Sequence, residues 1–324
     1  GQLFFVRCPA EGAAEDVAEY HLGGYLLFGR DFQDAQGAWL TADAVRANIQ
    51  SYQTAAEGDS GIPLLIGVDE EGGTVVRVSR NPLLREHKFS SPQKLYAAGG
   101  LDAVVRDAGE KDALLSSLGI NVNLAPVCDV STDPEDFIYD RAFGQDAAAT
   151  SAFVSAVVSQ ARQDGMGSVL KHFPGYGSAV TDDHYGTSTL SKTLEELESC
   201  DFLPFASGIE SGAAFVMVSH LSAPEVTGDE TPGDLSSKIV SELLRNKLGF
   251  QNVIITDAQN MGAITDHYTS AEAAVQALSA GVDMVLMPDD LQAAYDGVLG
   301  AVQNGTLTEA VIEGESGTVS SLIV

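Results

Sequence analysis

Basic residues are scarce in this chain of 324 residues, in which 17 Lys and Arg stand against 46 Asp and Glu. The formal net charge is −29 at pH 7. A surface that binds nucleic acid or an anionic membrane needs a local cluster of Lys and Arg to neutralise phosphate groups. We therefore expect no nucleic acid partner.

The sequence also lacks long apolar runs, a cysteine framework and low-complexity tracts. No apolar run approaches the roughly 20 residues that a membrane-spanning helix needs, so we expect no membrane span. Cys8, Cys128 and Cys200 are odd in number and widely separated, which argues against a disulfide framework. The hydrophobic fraction of 44% is sufficient for a large core and indicates an ordered globular protein.

What the sequence does contain is a repeated alternation of short apolar runs and helix-compatible stretches. The eight runs cover residues 3–6, 24–28, 64–68, 122–125, 168–171, 215–219, 253–256 and 284–287. Most of them lack strict apolar–polar alternation, which is typical of parallel strands buried on both faces. Eight β–α units without a linker favour an α/β fold, a (β/α)8 TIM-type barrel, over a doubly wound sheet. We predict a single domain over residues 1–324.

Ionisable residues follow the predicted strands at one rim of this barrel. In such barrels the catalytic groups lie at the C-terminal ends of the strands and in the loops after them. The candidates at these positions are Asp69, Glu70, Glu71, Asp129, Arg141, Lys171, His172, His220 and Asp257. We expect them to converge on one site.

Asp257 directly follows the seventh run. A carboxylate at the mouth of a barrel can act as a nucleophile, a general base or a metal ligand. It can also cap the helix-compatible stretch that comes after it. Position alone leaves these roles open.

The segment 171–184 is rich in ionisable residues and is interrupted by Pro174 and two glycines, which exclude a continuous helix. We predict a long loop, and long loops in compact domains are often functional. Asp182 precedes His184 by two residues. Its carboxylate can therefore orient the imidazole and favour the protonated form of an acid/base.

A metal site is the alternative for the same loop. Asp182, Asp183 and His184, together with His172, offer oxygen and nitrogen ligands, but no spacing typical of a zinc site accompanies them. We therefore expect neither a metal ion nor another cofactor.

Several motifs occur together along the chain: DEEGG at 69–73, LAPV at 124–127, DRAFG at 140–144, KHFPG at 171–175 and DDH at 182–184. In this order they resemble the motifs of the single-barrel β-N-acetylhexosaminidases of glycoside hydrolase family three. The resemblance covers nearly the whole chain and is more specific than any single motif. One departure is Asp183, which stands where many relatives have Ser.

The resemblance implies a retaining exo-β-N-acetylglucosaminidase. Such an enzyme releases terminal N-acetylglucosamine from peptidoglycan fragments or chitooligosaccharides through a covalent glycosyl-aspartate. The implied nucleophile is Asp257, and the implied acid/base is His184 with Asp182 as its partner. The residues that hold the sugar carry over as Asp69, Arg77, Arg141, Lys171 and His172. We expect a monomer whose partner is a carbohydrate.

Other functions remain open on the sequence alone. One is a β-glucosidase, and another is a β-N-acetylglucosaminide phosphorylase, because a histidine acid/base does not repel phosphate as a carboxylate does. A non-catalytic carbohydrate-binding barrel is a further alternative, although Asp257, His184 and Asp182 are all present. The composition does not separate a cytoplasmic from a secreted or wall-associated bacterial location.

Overall fold

Eight parallel strands form the centre of the molecule. The computed structural model describes residues 1–177 and 188–308. The strands are β1 (Phe4–Arg7), β2 (Gly24–Leu27), β3 (Leu65–Val68), β4 (Val122–Asn123), β5 (Gly167–Phe173), β6 (Phe215–Val218), β7 (Val253–Thr256) and β8 (Val285–Leu286). Each predicted run thus contains or overlaps one observed strand.

The strands close into a barrel. Their order is β7-β6-β5-β4-β3-β2-β1-β8, and each neighbouring pair is parallel. A parallel bridge between Ile255 and Met284 joins the two ends of this order. The predicted (β/α)8 TIM-type fold is therefore confirmed.

Helices surround the barrel. They are α1 (Ala13–Tyr20), α2 (Ala42–Asp59), α3 (Pro92–Leu118), α4 (Ala147–Asp164), α5 (Leu194–Glu196), α6 (Phe202–Glu210), α7 (Pro224–Thr227), α8 (Gly262–Thr265), α9 (Ser270–Ala280) and α10 (Leu291–Gln303). Wider π-helical turns cover Leu197–Asp201 and Lys238–Lys247, and 3₁₀ turns cover Gly29–Phe32 and Gly233–Leu235. Within residues 1–177 and 188–308, none of these helices has the length and apolarity needed to cross a bilayer.

Local sequence explains where the longer helices begin and end. The Thr41 and Asp146 side chains accept hydrogen bonds from the first turns of α2 and α4, which satisfies otherwise unpaired N–H groups. Gly165 ends α4 in the left-handed conformation that glycine adopts readily. Non-helical dihedral angles at Gly99 and Gly100 interrupt α3.

The strands are buried on both faces. One cluster fills the barrel interior, with contributions such as Phe5, Val169 and Ile255. A second and larger cluster packs the outer strand faces against the helices, with contributions such as Tyr25 and Ile254. Burial on both faces explains why the sequence shows continuous apolar runs rather than alternation.

Candidate functional site

A cavity of about 450 Å³ opens at the C-terminal ends of the strands. Small-molecule sites typically occupy about 300–1,000 Å³. All six predicted site residues that the structure describes line the cavity: Asp69, Arg77, Arg141, Lys171, His172 and Asp257. The predicted acid/base pair, His184 and Asp182, lies outside the described residues, as does Asp183.

Strand register explains why two of these side chains enter the cavity. Val169 and Ile255 pack inside the barrel. Lys171 and Asp257 each come two residues later in the chain. Because side chains two apart along a strand lie on the same face, the register of β5 and β7 directs Lys171 and Asp257 into the barrel mouth.

Asp257 is fixed by hydrogen bonds directly after β7. Its N–H donates to the Val218 carbonyl at 2.8 Å, and its Oδ1 accepts from the Ala258 N–H at 2.7 Å. Burial favours the neutral acid, but the His172 and His220 rings and the Ala258 N–H favour the carboxylate, and together they lower the pKa of Asp257. The cavity therefore holds an ionised and oriented carboxylate at neutral pH.

Four charged side chains form a buried network beside this carboxylate. Lys171, only 1% exposed, places Nζ 2.8 Å from Asp69 Oδ1 and 2.7 Å from Glu71 Oε1. Arg141 donates to the same Glu71 carboxylate through Nε at 3.1 Å and Nη2 at 2.8 Å. Two cations and two carboxylates balance within the network.

The network keeps Glu71 and Lys171 charged. Burial raises the pKa of Glu71, but Arg141 and Lys171 outweigh it and hold this pKa well below its usual range. Burial lowers the pKa of Lys171, but Asp69 and Glu71 reverse that effect and raise it. Glu71 and Lys171 therefore carry fixed charges at neutral pH.

His172 is oriented by Asp129, which lies in the loop after β4. Asp129 Oδ2 is 2.8 Å from His172 Nδ1, and Asp129 Oδ1 accepts from the backbone N–H groups of His172 and Tyr176 at 3.3 and 2.6 Å. Arg141 Nη2 lies 3.3 Å from the other ring nitrogen of His172. The ring is therefore held from both sides.

Arg77 reaches the cavity from the loop after β3. Buried Glu70 shapes this loop, because its Oε2 accepts from the Arg77 and Val78 N–H groups at 2.7 Å each. The Arg77 guanidinium lies 5.3 Å from the centre of the Phe28 ring, and the Arg7 guanidinium lies 4.8 Å from the same centre. Two guanidinium groups thus share one aromatic ring at the cavity wall.

Several residues in and around the site were not among the predicted site residues. Glu70, Glu71 and Asp129 stood among the ionisable rim residues, but only their tertiary contacts reveal that they hold other site residues in place. Arg7 and Phe28 line the cavity, and no sequence motif singled them out. Their signal is positional, because both stand at or just beyond the C-terminal end of a strand.

The described part of the chain, which excludes 178–187 and 309–324, holds no cluster of three His, Cys, Asp or Glu side chains suited to a metal ion. The metal alternative raised by the sequence depends on Asp182, Asp183 and His184, which lie outside that part.

The arrangement suits a neutral and hydroxyl-rich ligand. Carboxylates accept hydrogen bonds from hydroxyl groups, while lysine and arginine donate to hydroxyl or amide oxygens. Both kinds of group line the cavity next to the ionised Asp257. A carboxylate so placed can attack an electrophilic carbon of the bound ligand.

Comparison with known proteins gives consistent results. The family model for the glycosyl hydrolase family 3 N-terminal domain matches residues 1–322. The chain is 31% identical over 287 residues to beta-hexosaminidase A of Pseudoalteromonas piscicida, a match that covers 85% of this chain and 47% of that protein. It is 33% identical over 318 residues to beta-hexosaminidase LpqI of Mycobacterium tuberculosis, a match that covers 95% of this chain and 77% of that protein. The chain thus spans about half of the first relative.

Solved structures agree with the sequence relatives. The chain superposes on a glycoside hydrolase family 3 beta-N-acetylglucosaminidase from Paenibacillus sp. with a TM-score of 0.90 and 31% identity, covering 99% of this chain and 61% of that one. It superposes on LpqI of Mycobacterium tuberculosis with a TM-score of 0.87 and 29% identity, covering 100% of this chain and 92% of that one. The barrel therefore corresponds to nearly all of one neighbour and to part of the other.

Proposed function

Because the chain belongs to glycosyl hydrolase family 3, we propose that it is a retaining exo-β-N-acetylglucosaminidase with Asp257 as its nucleophile. The family and the glycosidase class are those that the motifs predicted, and both are confirmed. The proposal adds the substrate, the mechanism and the roles of individual residues.

One observation carries the proposal. The ionised Asp257 lines the same cavity as Asp69, Arg141 and Lys171, and buried Glu71 holds Arg141 and Lys171 through ion pairs. A pyranose ring that is hydrogen-bonded to these three side chains would present its anomeric carbon towards Asp257. The relatives named beta-hexosaminidase and beta-N-acetylglucosaminidase support an acetamido sugar as the substrate.

The reaction proceeds in two displacements. Asp257 attacks the anomeric carbon while protonated His184, oriented by Asp182, gives its proton to the leaving oxygen, so that a covalent glycosyl-aspartate forms. Neutral His184 then takes a proton from water, whose oxygen displaces Asp257 from the same carbon. Two inversions give net retention. The roles of His184 and Asp182 rest on the motif alone.

The remaining site residues bind the sugar. Asp69, Arg77, Arg141, Lys171 and His172 hold the hydroxyl and acetamido groups, and Asp129 and Glu71 position His172, Arg141 and Lys171 through the contacts described above. The natural substrates are peptidoglycan fragments or chitooligosaccharides with a terminal N-acetylglucosamine. The enzyme acts as a monomer, and residues 1–324 form one domain.

The first test compares an aryl β-N-acetylglucosaminide with the matching β-glucoside. We expect turnover of the acetamido sugar in preference to the glucoside, without a requirement for phosphate. We expect Asp257→Ala to lose about 1,000-fold or more in kcat. Azide should partly restore turnover in this variant and give the α-glycosyl azide, because it attacks from the side that the carboxylate vacates.

The matched control is Asp289→Ala, which removes an exposed aspartate beyond β8. It should keep wild-type turnover. If the glucoside were turned over in preference, the proposed specificity for an acetamido sugar would be wrong. A requirement for phosphate would indicate a phosphorylase. Full activity of Asp257→Ala would refute the role of Asp257 as the nucleophile.

A further inference from the structure

His220 is a buried histidine that lies just beyond β6. Its Nδ1 is 3.0 Å from Asp234 Oδ1, and its Nε2 is 3.0 Å from the carbonyl oxygen of Ala258. Asp234 is also fully buried and belongs to the 3₁₀ turn Gly233–Leu235. Neither residue lines the cavity, so a direct contact with the substrate is not part of their role.

The hydrogen-bond partners determine where the protons lie on His220. The carbonyl oxygen of Ala258 only accepts, so Nε2 must carry a proton. Nδ1 faces a carboxylate, which also accepts when it is ionised. Burial lowers the pKa of His220, but Asp234 reverses this effect and raises the pKa to about 10. At neutral pH the ring is therefore a doubly protonated cation paired with Asp234.

Ala258 connects this pair to Asp257. Its carbonyl accepts from His220 Nε2, and its N–H donates to Asp257 Oδ1 at 2.7 Å. Ala258 is thus bound to His220 through its carbonyl group and to the Asp257 carboxylate through its N–H group. A change at His220 would alter the orientation of the hydrogen bond that fixes Asp257.

The charge of His220 also acts on Asp257. The charged groups that act on the His220 ring are Asp234, which contacts Nδ1, and Asp257. Asp257 additionally experiences His172 and Lys171 from β5. An opposite charge within about 4–6 Å typically shifts a carboxyl pKa downwards by 1–3 units. His220 is therefore one of the groups that favour the ionised form of Asp257.

We propose that His220 and Asp234 form a positioning pair for the nucleophile. The imidazolium holds the Ala258 carbonyl, so that the Ala258 N–H stays directed at Asp257, and its positive charge keeps the Asp257 carboxylate ionised and ready to attack. The inference rests on the proposed function of Asp257 but assigns a role to two residues outside the cavity. A purely structural pair would support the packing around β6 and leave the ionisation of Asp257 unchanged.

The decisive variant is His220→Gln. The glutamine amide can still donate to the Ala258 carbonyl, but it carries no charge. We expect the acidic limb of the pH profile of kcat/KM, which reports ionisation in the free enzyme, to move upwards by about one pH unit. We expect kcat at acidic pH to fall, while KM changes little because the sugar contacts remain.

His21→Gln is the matched control. His21 also pairs with a carboxylate, since its Nδ1 lies 2.7 Å from Asp59 Oδ2, but this pair is on the surface at the end of α1. Its pH profile should coincide with that of the wild type. An unchanged acidic limb in folded His220→Gln would overturn the proposal.

Asp234→Asn is the second variant and covers the case in which His220→Gln does not fold. The new amide can donate to Nδ1 of a neutral ring, which keeps the hydrogen bonds but removes the charge of the ring. The same upward movement of the acidic limb is expected. An unchanged limb in this variant would also contradict the proposal.

Two NMR measurements are independent of turnover. Of the six histidines in the chain, His220 should show protons on both ring nitrogens at neutral pH in the wild-type protein, and a neutral ring would overturn the proposal. The ¹³C carboxyl signal of Asp257 should titrate at a higher pH in His220→Gln than in the wild type. If the wild type hydrolyses no β-glycoside, the proposed function fails, whereas the carboxyl titration still decides the positioning role.

Discussion

At the scale of single residues, the site depends on carboxylates that do not line the cavity themselves. Glu71 is the clearest example, because it pairs with both Arg141 and Lys171 and is itself buried. Its pKa is lowered in the folded protein, since the two cations outweigh the effect of burial. Glu71 therefore positions two groups that the proposed function assigns to sugar binding.

We predict that Glu71→Gln destabilises the protein by about 3–5 kcal/mol, because it leaves buried cations without their counter-charge. A lowered carboxyl pKa contributes stability above the unfolded value of about 4.3 and loses it as the pH falls towards the folded value. The free energy of unfolding should thus decline less steeply below about pH 4.3 in the variant than in the wild type. Urea titrations between neutral and acidic pH measure both effects.

Glu110→Gln is the control for this prediction. It removes one partner of the exposed Arg85–Glu110 pair, which spans 3.0 Å with Glu110 61% exposed. Surface ion pairs contribute little, so its stability and pH dependence should match the wild type. An equal loss of stability in the two variants would contradict the structural role of the buried network.

At the scale of elements, strand register and loop anchoring together place the site. The strands direct Lys171 and Asp257 inward, as the alternation of side chains requires. The loop after β3 is instead folded around Glu70, which accepts backbone hydrogen bonds from Arg77, Val78 and Ser79. The position of Arg77 therefore depends on a buried carboxylate within its own loop.

We predict that Glu70→Gln costs about 2–3 kcal/mol of stability, because an amide cannot accept all of these hydrogen bonds and leaves buried donors unpaired. KM for the aryl β-N-acetylglucosaminide should rise more than kcat falls, because Arg77 is proposed to bind the sugar and not to take part in breaking the glycosidic bond. Glu57→Gln, at an exposed position of α2, serves as the control. Unchanged KM in folded Glu70→Gln would show that the loop does not depend on this carboxylate.

The elements were also the most predictable part of the structure. The run at 253–256 matches β7 (Val253–Thr256) residue for residue, because a buried parallel strand is a short continuous apolar run. β5 instead continues from the predicted end at Lys171 to Phe173. Lys171 ends the predicted run and begins the predicted loop, whereas His172 was predicted in the loop alone. The pairing of these two residues with Asp69, Glu71 and Asp129 allows both to be buried in the strand.

Helix boundaries were less predictable where glycine interrupts the pattern. α3 begins at Pro92, and its non-helical break at Gly99 and Gly100 interrupts the periodicity from which a helix is predicted. For the site, the resemblance of the motifs to a known family predicted six cavity residues, whereas Asp129, Glu71 and His220 acquire roles through contacts between distant segments.

At the scale of the whole molecule, the charge at the cavity differs from the net charge of the chain. The net charge is −29, yet four of the 17 basic residues line the cavity, namely Arg7, Arg77, Arg141 and Lys171. An acidic exterior repels polyanions, while the local cations supply donors for a neutral sugar. The absence of a nucleic acid partner, expected from composition, stays a prediction.

The proposed mechanism requires that Asp257 form a covalent bond to the substrate sugar. The most direct measurement uses a fluorinated N-acetylglucosaminyl fluoride, which forms the glycosyl-enzyme faster than water breaks it down, followed by peptic digestion and mass spectrometry. We predict one added sugar per chain, located on Asp257. A label on another residue, or turnover without any labelled protein, would rule out Asp257 as the nucleophile.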